Sequence, residues 1–228
     1  MKRAIVMILL ALAANAVAKQ VRVTVRVIEV PHRELTKWTT GEKLSGQELH
    51  DHALKLALDG GAEIVDTSVV IVRNGGRALI ESISEVIYPV EPEPSSMGVP
   101  APPPDLKIVR PPPLRPWGFG SFATRNAGST VEIEPTVSPD DRLVDLRLAF
   151  EMVDRASLAT WMEYRDELGD GSLRKPIFDT RRLTTSMTLV AGRFELFNVF
   201  TPKPPAVPAV ATRQLVFVKA DVISPPKP

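Results

Sequence analysis

The sequence predicts a mainly β chain, a β-rich α+β fold in which hairpins build a mixed sheet or β-sandwich, with one short helix and two Pro-rich loops. Three observations predict it. Val21, Val23, Val25 and Val27 alternate with Arg22, Thr24 and Arg26, the period-two pattern of a half-buried strand. The alternation recurs as Val131, Ile133 and Val137 against Glu132, Glu134 and Thr136. Clusters of turn-forming residues separate such segments: Asn74-Gly75-Gly76, Ser138-Pro139-Asp140-Asp141 and Ala191-Gly192.

The elements follow in chain order. Lys2 and Arg3 precede an apolar run from Ala4 to Ala14, and Ala16-Val17-Ala18 has the small-x-small form of a cleavage site. Residues 1–18 therefore read as a secretory signal peptide, with the cut before Lys19. The run is shorter than the roughly 20 residues that a spanning helix needs. Removing the segment takes Lys+Arg from 28 to 26 against 27 acidic residues, a net charge of −1 for residues 19–228. Those residues read as a single domain. Lys19 to Val30 is the first strand, ended by Pro31, and a polar connection follows. Ser45 and Glu48 have capping-box spacing, Leu49, Ala53, Leu56 and Ala57 share a helical face, and Gly60-Gly61 supplies a left-handed stop. That is the helix. Ala62 to Val72 and Arg77 to Tyr88 read as a hairpin joined by Asn74-Gly75-Gly76.

Proline then dominates. Of 22 Pro, 11 lie between Pro89 and Pro116, and residues 89–120 read as an extended loop that Trp117 and Phe119 dock at its end. Ser129 to Val137 and Arg142 to Val153 form the clearest hairpin, with Val144, Leu146, Leu148, Phe150 and Met152 on one face. Ala156 to Leu168 reads as a short helix broken by Gly169-Asp170-Gly171. Pro176 to Val190 is a long strand that turns at Ala191-Gly192 into Arg193 to Phe200. Residues 201–212 are the second Pro-rich loop, Arg213 to Ile223 is the last strand, and residues 224–228 are a tail.

Composition excludes several chemistries. With no Cys there is no disulfide framework, thiolate metal site or cysteine nucleophile. A net charge near zero gives no reason to expect nucleic acid as a partner. His50-Asp51-His52 is the single cluster of metal-ligand type, but residues two apart on a helix point to different faces, so it reads as a solvated helix surface, and His32 as a surface residue. No Gly-x-Ser-x-Gly elbow occurs, and Gly118-Phe119-Gly120 lacks a third glycine. Glu132 and Glu134 share a strand face and read as solvated. Arg181 and Arg182 lie on opposite sides of a strand, and Trp38 and Trp161 read as half-buried rings or partner anchors. No catalytic, cofactor-binding or metal-binding residue is expected, and no cofactor.

The order of these segments resembles a known family. Val21 to Val30, VRVTVRVIEV, is similar to the strand with an Ile/Val-Glu-Val ending that opens the bacterial secretin homology domain, with Glu29 at the acidic position. Asn74-Gly75-Gly76-Arg77-Ala78-Leu79-Ile80 is similar to the family's next turn and strand, although Ser68 stands where Pro is common. Gly128 to Val137 is similar to its Gly-x-x-Leu-x-Val-x-Pro-x-Ile segment, which places Gly128 and Pro135. Arg182 to Leu189 with Gly192 resembles a later strand and turn, and Arg213 to Ile223 the closing strand. The chain departs from the pattern at Phe197-Asn198-Val199, where Gly-Gly-Leu is usual, carries Pro-rich sequence where a lip is expected, and has no match to ring modules before Val21.

The resemblance implies a non-catalytic cell-envelope protein of a type II or type III secretion system kind. Expected partners are copies of itself or other envelope and secretion proteins, with possible outer-membrane association. An exported chain without Cys suits the periplasm or outer membrane of a Gram-negative-type bacterium. The alternative is a soluble, monomeric periplasmic binding or accessory module that keeps the fold without a pore. Glu29, Gly75, Gly128, Pro135 and Gly192 are the family-motif positions, read as structural.

Overall fold

The computed structural model describes residues 19–40, 44–93, 118–154, 157–166, 169–202 and 210–223. The signal segment, most of both Pro-rich loops, Trp117 and the tail lie outside the described residues. The described elements are β1 (Gln20–Pro31), α1 (His32–Thr40), α2 (Gly46–Leu58), β2 (Glu63–Arg73), β3 (Ala78–Glu93), β4 (Gly118–Val137), β5 (Leu143–Asp154), β6 (Leu158–Asp166), β7 (Gly169–Pro176), β8 (Asp179–Val190), β9 (Phe194–Phe200) and β10 (Thr212–Ile223). The protein is mainly β, as its alternating segments require. One four-stranded sheet has the order β2-β1-β10-β9, a second β3-β4-β5-β8, and β6 pairs with β7 alone. The pairings of β1 with β10 and β2, of β9 with β10, and of β6 with β7 are antiparallel.

Two compact units divide the chain: unit one takes Met1–Glu81, Thr130–Glu151 and Arg182–Pro228, and unit two takes Ser82–Ser129 and Met152–Arg181. In unit one the first sheet is built on β1 and β10, its two central strands. Val21, Val23, Val25 and Val27 are fully buried, and so are the adjacent Ile28 and Val30. The burial changes face at Ile28 because a helix covers the opposite face of β1 from there on; the register irregularity at the same point puts its extra residue, Val65, in β2. From Ile28 onward the newly buried face packs under α2. Ile28, Val30, Leu49, Ala53, Phe194, Leu215 and Phe217 form one apolar cluster, flanked by Leu35, Trp38, Leu54 and Leu196. β10 is buried on both faces from Gln214 to Val218, which explains its unbroken apolar run Leu215-Val216-Phe217-Val218. In the second sheet Val131 and Ile133 of β4 and Val144, Leu146, Leu148 and Phe150 of β5 are buried at every other position, as their alternation predicts.

The helix α2 carries the capping box read from its sequence. The Glu48 amide donates to Ser45 Oγ at 3.3 Å, and the Ser45 amide donates to Glu48 Oε2 at 2.8 Å. The Ser45 amide and the Ser45 hydroxyl, both donating to Glu48 Oε2, hold that carboxyl below its ordinary pKa. Gly60 closes the helix with φ +77°.

Four expectations need correction. The polar connection after Pro31 is helix α1: Leu35 and Trp38, three apart, give it one apolar side that rests on the α2 cluster. Residues 158–166 and 169–176 are strands, not the helix expected over 156–168; β6 holds Thr160 and Trp161, which favour extended backbone, and its pairing with β7 satisfies main-chain groups that a lone helix would bond internally. β2 and β3 are not a hairpin, because they belong to different sheets, and the same is true of β8 and β9. The glycine turns between them are corners that pass the chain from sheet to sheet. Finally, the Pro-rich loop begins later than Pro89: β3 continues to Glu93, and Gly118-Phe119-Gly120 opens β4. β3 is an edge strand, the place in a sheet where a Pro such as Pro89 is found.

In unit two the β6–β7 hairpin is tied to β3 by Lys175, whose Nζ donates to the Val90 carbonyl oxygen at 2.7 Å and lies 4.6 Å from the Trp161 ring centre. Arg125 stands over Phe178 at 5.0 Å and donates to Thr180 Oγ1 at 2.8 Å. Tyr88 packs against Phe178, with ring centres 5.8 Å apart.

Candidate functional site: the sheet edges

The five family-motif positions fall at junctions of main chain. Glu29 on β1 accepts hydrogen bonds from Thr212 Oγ1 (2.6 Å) and Gln214 Nε2 (2.7 Å), both on β10. Glu29 and Gln214 are opposite one another in the ladder, so the carboxylate locks that register. Gly75 has φ +72°, and its amide donates to the Pro135 carbonyl oxygen at 2.8 Å, which brings two of the five positions together. Gly192, at φ +80°, donates its amide to Ala220 at 2.8 Å. In unit two Gly128 has φ +131°, and a Cβ at that position would overlap the Ser82 carbonyl oxygen. Within unit one, Glu29 and Gly192 bond to β10 and not to the Gly75–Pro135 pair.

Three arginines at or beside the second sheet, Arg77, Arg147 and Arg182, each pair with a glutamate. In unit one, Arg77 bonds Glu132, Arg147 faces Glu134 at 3.7 Å, and Arg182 forks onto Glu151 at 2.9–3.0 Å. Glu132 holds the Arg77 guanidinium even more firmly protonated, and Glu151 does the same for Arg182. Thr188 donates to Asp145 at 2.6 Å. A shallow groove of about 470 Å³ crosses the second sheet, lined by Arg77, Glu132, Glu134, Arg147, Thr184 and Ser186. Its two glutamates each face an arginine, so neither is placed as a free general base. Glu132 and Glu134 thus lie on a hydrated strand face, as their spacing implies. Among the described residues there is no group of three or more metal-ligand side chains, and no helix is long and apolar enough to cross a membrane.

What the fold does leave open is strand edge. An edge strand presents unpaired N–H and C=O groups to any chain that can pair with them, and proteins blunt such edges with charge, bulges or a covering helix. Two of the four edges in the large sheets are blunted. β9 lies under α2: Gln47 Oε1 accepts the Phe194 amide at 2.8 Å, and Gly46 approaches the Glu195 main chain too closely for a side chain. In unit one β8 presents Arg182, Thr184, Thr185, Ser186 and Thr188, all exposed and polar.

The other two edges expose large apolar side chains among charged ones, Glu63 and Arg73 on β2 and Glu81 and Glu85 on β3. In unit one β2 exposes Ile64 (42%), Val65 (36%), Val69 (53%) and Ile71 (52%), and Leu79 at the start of β3 is 58% exposed. In unit two β3 exposes Ile83 (38%) and Ile87 (66%). Neither strand contains a Lys. β-branched side chains on an open strand suit pairing with a further strand. The sequence pattern marks β2 and β3 as strands; that they are edges follows from each pairing on one side only, β2 with β1 and β3 with β4, which alternation does not encode. Trp161, expected as a half-buried ring or anchor, is 69% exposed, at a register shift between Thr160 and Met162. Trp38 is partly buried, stacked on His52 at 5.9 Å. His32 is exposed at the start of α1. His50, expected on a solvated surface, is 2% exposed; burial by Phe194 and Phe217 overrides the helix-face reading.

The sequence matches no family model, and no curated protein matches it. Among solved structures it is similar to the Salmonella SPI-1 type III secretion injectisome secretin InvG, at 10% identity and TM-score 0.49 over 99% of this chain and 71% of that one. It is similar to the V. cholerae type IV competence pilus secretin PilQ, at 14% identity and TM-score 0.44 over 97% of this chain and 65% of PilQ. It is also similar to the type II secretin GspD of enteropathogenic Escherichia coli, at 11% identity and TM-score 0.48 over 96% of this chain and 74% of GspD. Against a Salmonella SPI-1 injectisome basal body structure of InvG, PrgH and PrgK, it covers 50% of the matched chain, at 10% identity and TM-score 0.49. These proteins belong to the class that the sequence motifs resemble, the secretins.

Proposed function

We propose that the chain is a secretin-like protein of the cell envelope, acting in assembly or secretion without catalysis by pairing its open strand edges with further copies of itself. The observation that carries this reading is the contrast between edges: β9 is covered and β8 is polar, while β2 and β3 expose Val69, Ile71, Leu79, Ile83 and Ile87. Main-chain pairing supplies affinity at such an edge, and the exposed side chains supply burial. Head-to-tail pairing of unlike edges closes into a ring when the rotation permits. The five motif segments in family order support the same reading. Export through the 1–18 signal segment would place the protein in the periplasm or at the outer membrane, where other envelope proteins are further partners.

The test is the mass of the protein lacking residues 1–18, by light scattering in buffer and in detergent, with negative-stain images for rings. Species well above the monomer are expected in at least one condition. A strict monomer in both would overturn this reading in favour of a soluble accessory module.

A further inference from the structure

His50 sits in a seat that only a neutral ring fits. It stacks on Phe194 of β9 with ring centres 3.7 Å apart and planes 9° apart, and meets the edge of Phe217 of β10 at 5.2 Å. Nε2 lies 3.1 Å from Arg26 Nη1 on β1, and Nδ1 lies 3.1 Å from Asp51 Oδ1. A guanidinium can only donate, so Nε2 must hold a lone pair and the proton must reside on Nδ1, facing the carboxylate. A second proton, on Nε2, would set N–H against N–H.

The surrounding charges oppose that proton as well. Arg26 faces the ring from β1. Lys219 faces it from β10, with Asp221 paired to it at 3.1 Å, and both Arg26 (5.4 Å) and Lys219 (5.3 Å) stand over the Phe194 ring. β9 contributes Phe194 and Glu195, whose main chain meets Gly46. On α2 itself Glu48 is engaged by Ser45, and His52 turns to Trp38 of α1, where Glu34 and Lys37 pair with each other. Only Asp51 directly offsets a charge on His50, and its side chain is 61% exposed. Burial and the neighbouring Arg26 accordingly hold the His50 pKa below the ordinary value, against the opposing pull of Asp51.

The same helix covers the β9 edge through Gln47 and Gly46. We propose that α2 is a proton-sensitive cover on edge strand β9: neutral His50 holds it down, and protonation at Nε2 expels the ring and lifts the helix, uncovering the edge. The release stands on this geometry alone; its consequence, one more edge open to a second copy, rests on the self-assembly reading above.

Hydrogen exchange of the full chain at about pH 7.5 and about pH 5, corrected for intrinsic rates, tests it. Amides of 46–58 and 194–200 are expected to exchange about tenfold faster at the lower pH, with 131–150 unchanged. His50→Phe keeps the stack without a titrating group and is expected to exchange at one slow rate at both pH values. Imidazole nitrogen NMR of the unaltered protein is expected to show the Nδ1–H tautomer at neutral pH, titrating together with the release. Exchange in α2 that ignores pH, an equal acid response in His50→Phe, or an Nε2–H tautomer would each overturn the proposal. Faster α2 exchange with no growth in mass supports the cover and counts against self-assembly instead.

Discussion

The Gly75 amide donates to the Pro135 carbonyl oxygen at 2.8 Å, so the corner between β2 and β3 is bonded to β4. Asn74 completes the corner: its amide donates to the Lys19 carbonyl at 2.9 Å, and its Oδ1 accepts the Val137 amide at 2.8 Å. Pro135 lacks an N–H but offers its carbonyl, and Gly75 can present its amide because φ +72° carries no Cβ penalty there. Gly75→Val is therefore expected to lower stability by about 1–2 kcal/mol through left-handed strain alone, since the site has open space for the side chain. Asn74→Ala is expected to cost about 1 kcal/mol for the lost Val137 bond. Urea denaturation of each variant measures both.

Gly128 makes a sharper demand. Its φ of +131° is closed to side chains, and the Ser82 carbonyl and the Ile83 Cα already fill the space of a Cβ. Gly128→Ala is expected to cost about 2–4 kcal/mol, the sum of strain and overpacking. Gly60→Ala, at φ +77° with nothing nearby, should cost only about 1 kcal/mol. Equal costs at the two sites, read from denaturant midpoints, would mean that the close approach to Ser82 is not maintained in solution.

Much of the fold was legible because one-dimensional periods encode burial. The alternation in β4 and β5 named Val131, Ile133, Val144, Leu146, Leu148 and Phe150 as inward, and Ser45 with Glu48 fixed the start of α2. What alternation does not encode is which strand pairs with which. Asn74-Gly75-Gly76 permits the same positive φ in a hairpin and in a corner between sheets, so the turn chemistry was readable and the topology was not. Helix α1 escaped because two apolar residues make too short a period to register, and β6 escaped because Ala, Met and Glu mask the β preference of Thr160 and Trp161. The candidate surface is a property of pairing order, so it became visible only with the sheets in place. The burial of His50 followed from Phe194, 144 positions further along the sequence.

The apolar edge of β2 makes a separable prediction. Val69 and Ile71 are about half exposed, so Val69→Lys with Ile71→Lys removes little buried surface and is expected to change folding stability by about 0.5 kcal/mol or less per site. A charged edge disfavours strand addition. Sedimentation velocity should show the double variant shifted toward monomer at a concentration where the parent associates. An unchanged distribution would move the association away from β2.

Acid sensitivity has a calculable direction. Hydrogen bonds from Ser138 and the Arg142 amide lower the Asp140 pKa, Gln47 and His50 lower that of Asp51, and Ser45 lowers that of Glu48. Each group binds protons more weakly folded than unfolded, so its contribution is full above the ordinary value, 3.8 for Asp and 4.5 for Glu, and is lost as pH falls toward the lowered one. His50 is also lowered, so its contribution is full above 6.5 and declines below it. Stability against urea should therefore fall in two stages on acidification, and His50→Phe should remove the first and weaken the second by the part of the Asp51 contribution that His50 supplies. A single loss confined to the carboxylate range in the parent protein would show that His50 protonates without cost.

Arg181 and Arg182 are neighbours with opposite circumstances. Arg182 is exposed, and its fork onto Glu151 is held in water, where solvent and salt screen such pairs. Arg181 is 8% exposed, bonds Asp154 Oδ2 at 2.6 Å through Nη2, and has no partner for Nη1 among the described residues. Removing Asp154 would strand a buried guanidinium, a loss of about 3–5 kcal/mol for a fully enclosed pair. The Asp154 side chain is 43% exposed, so water can partly replace it and about 2 kcal/mol is expected for Asp154→Ala. Glu151→Ala should cost under about 1 kcal/mol and lose even that in high salt. Arg181→Met, which fills the buried volume without a charge, is expected to recover most of what Asp154→Ala loses when the two are combined, because the penalty lies in the unpaired charge and not in the missing contact. A double-mutant cycle by urea denaturation reads this directly: additive losses would place the cost in packing around Arg181 instead.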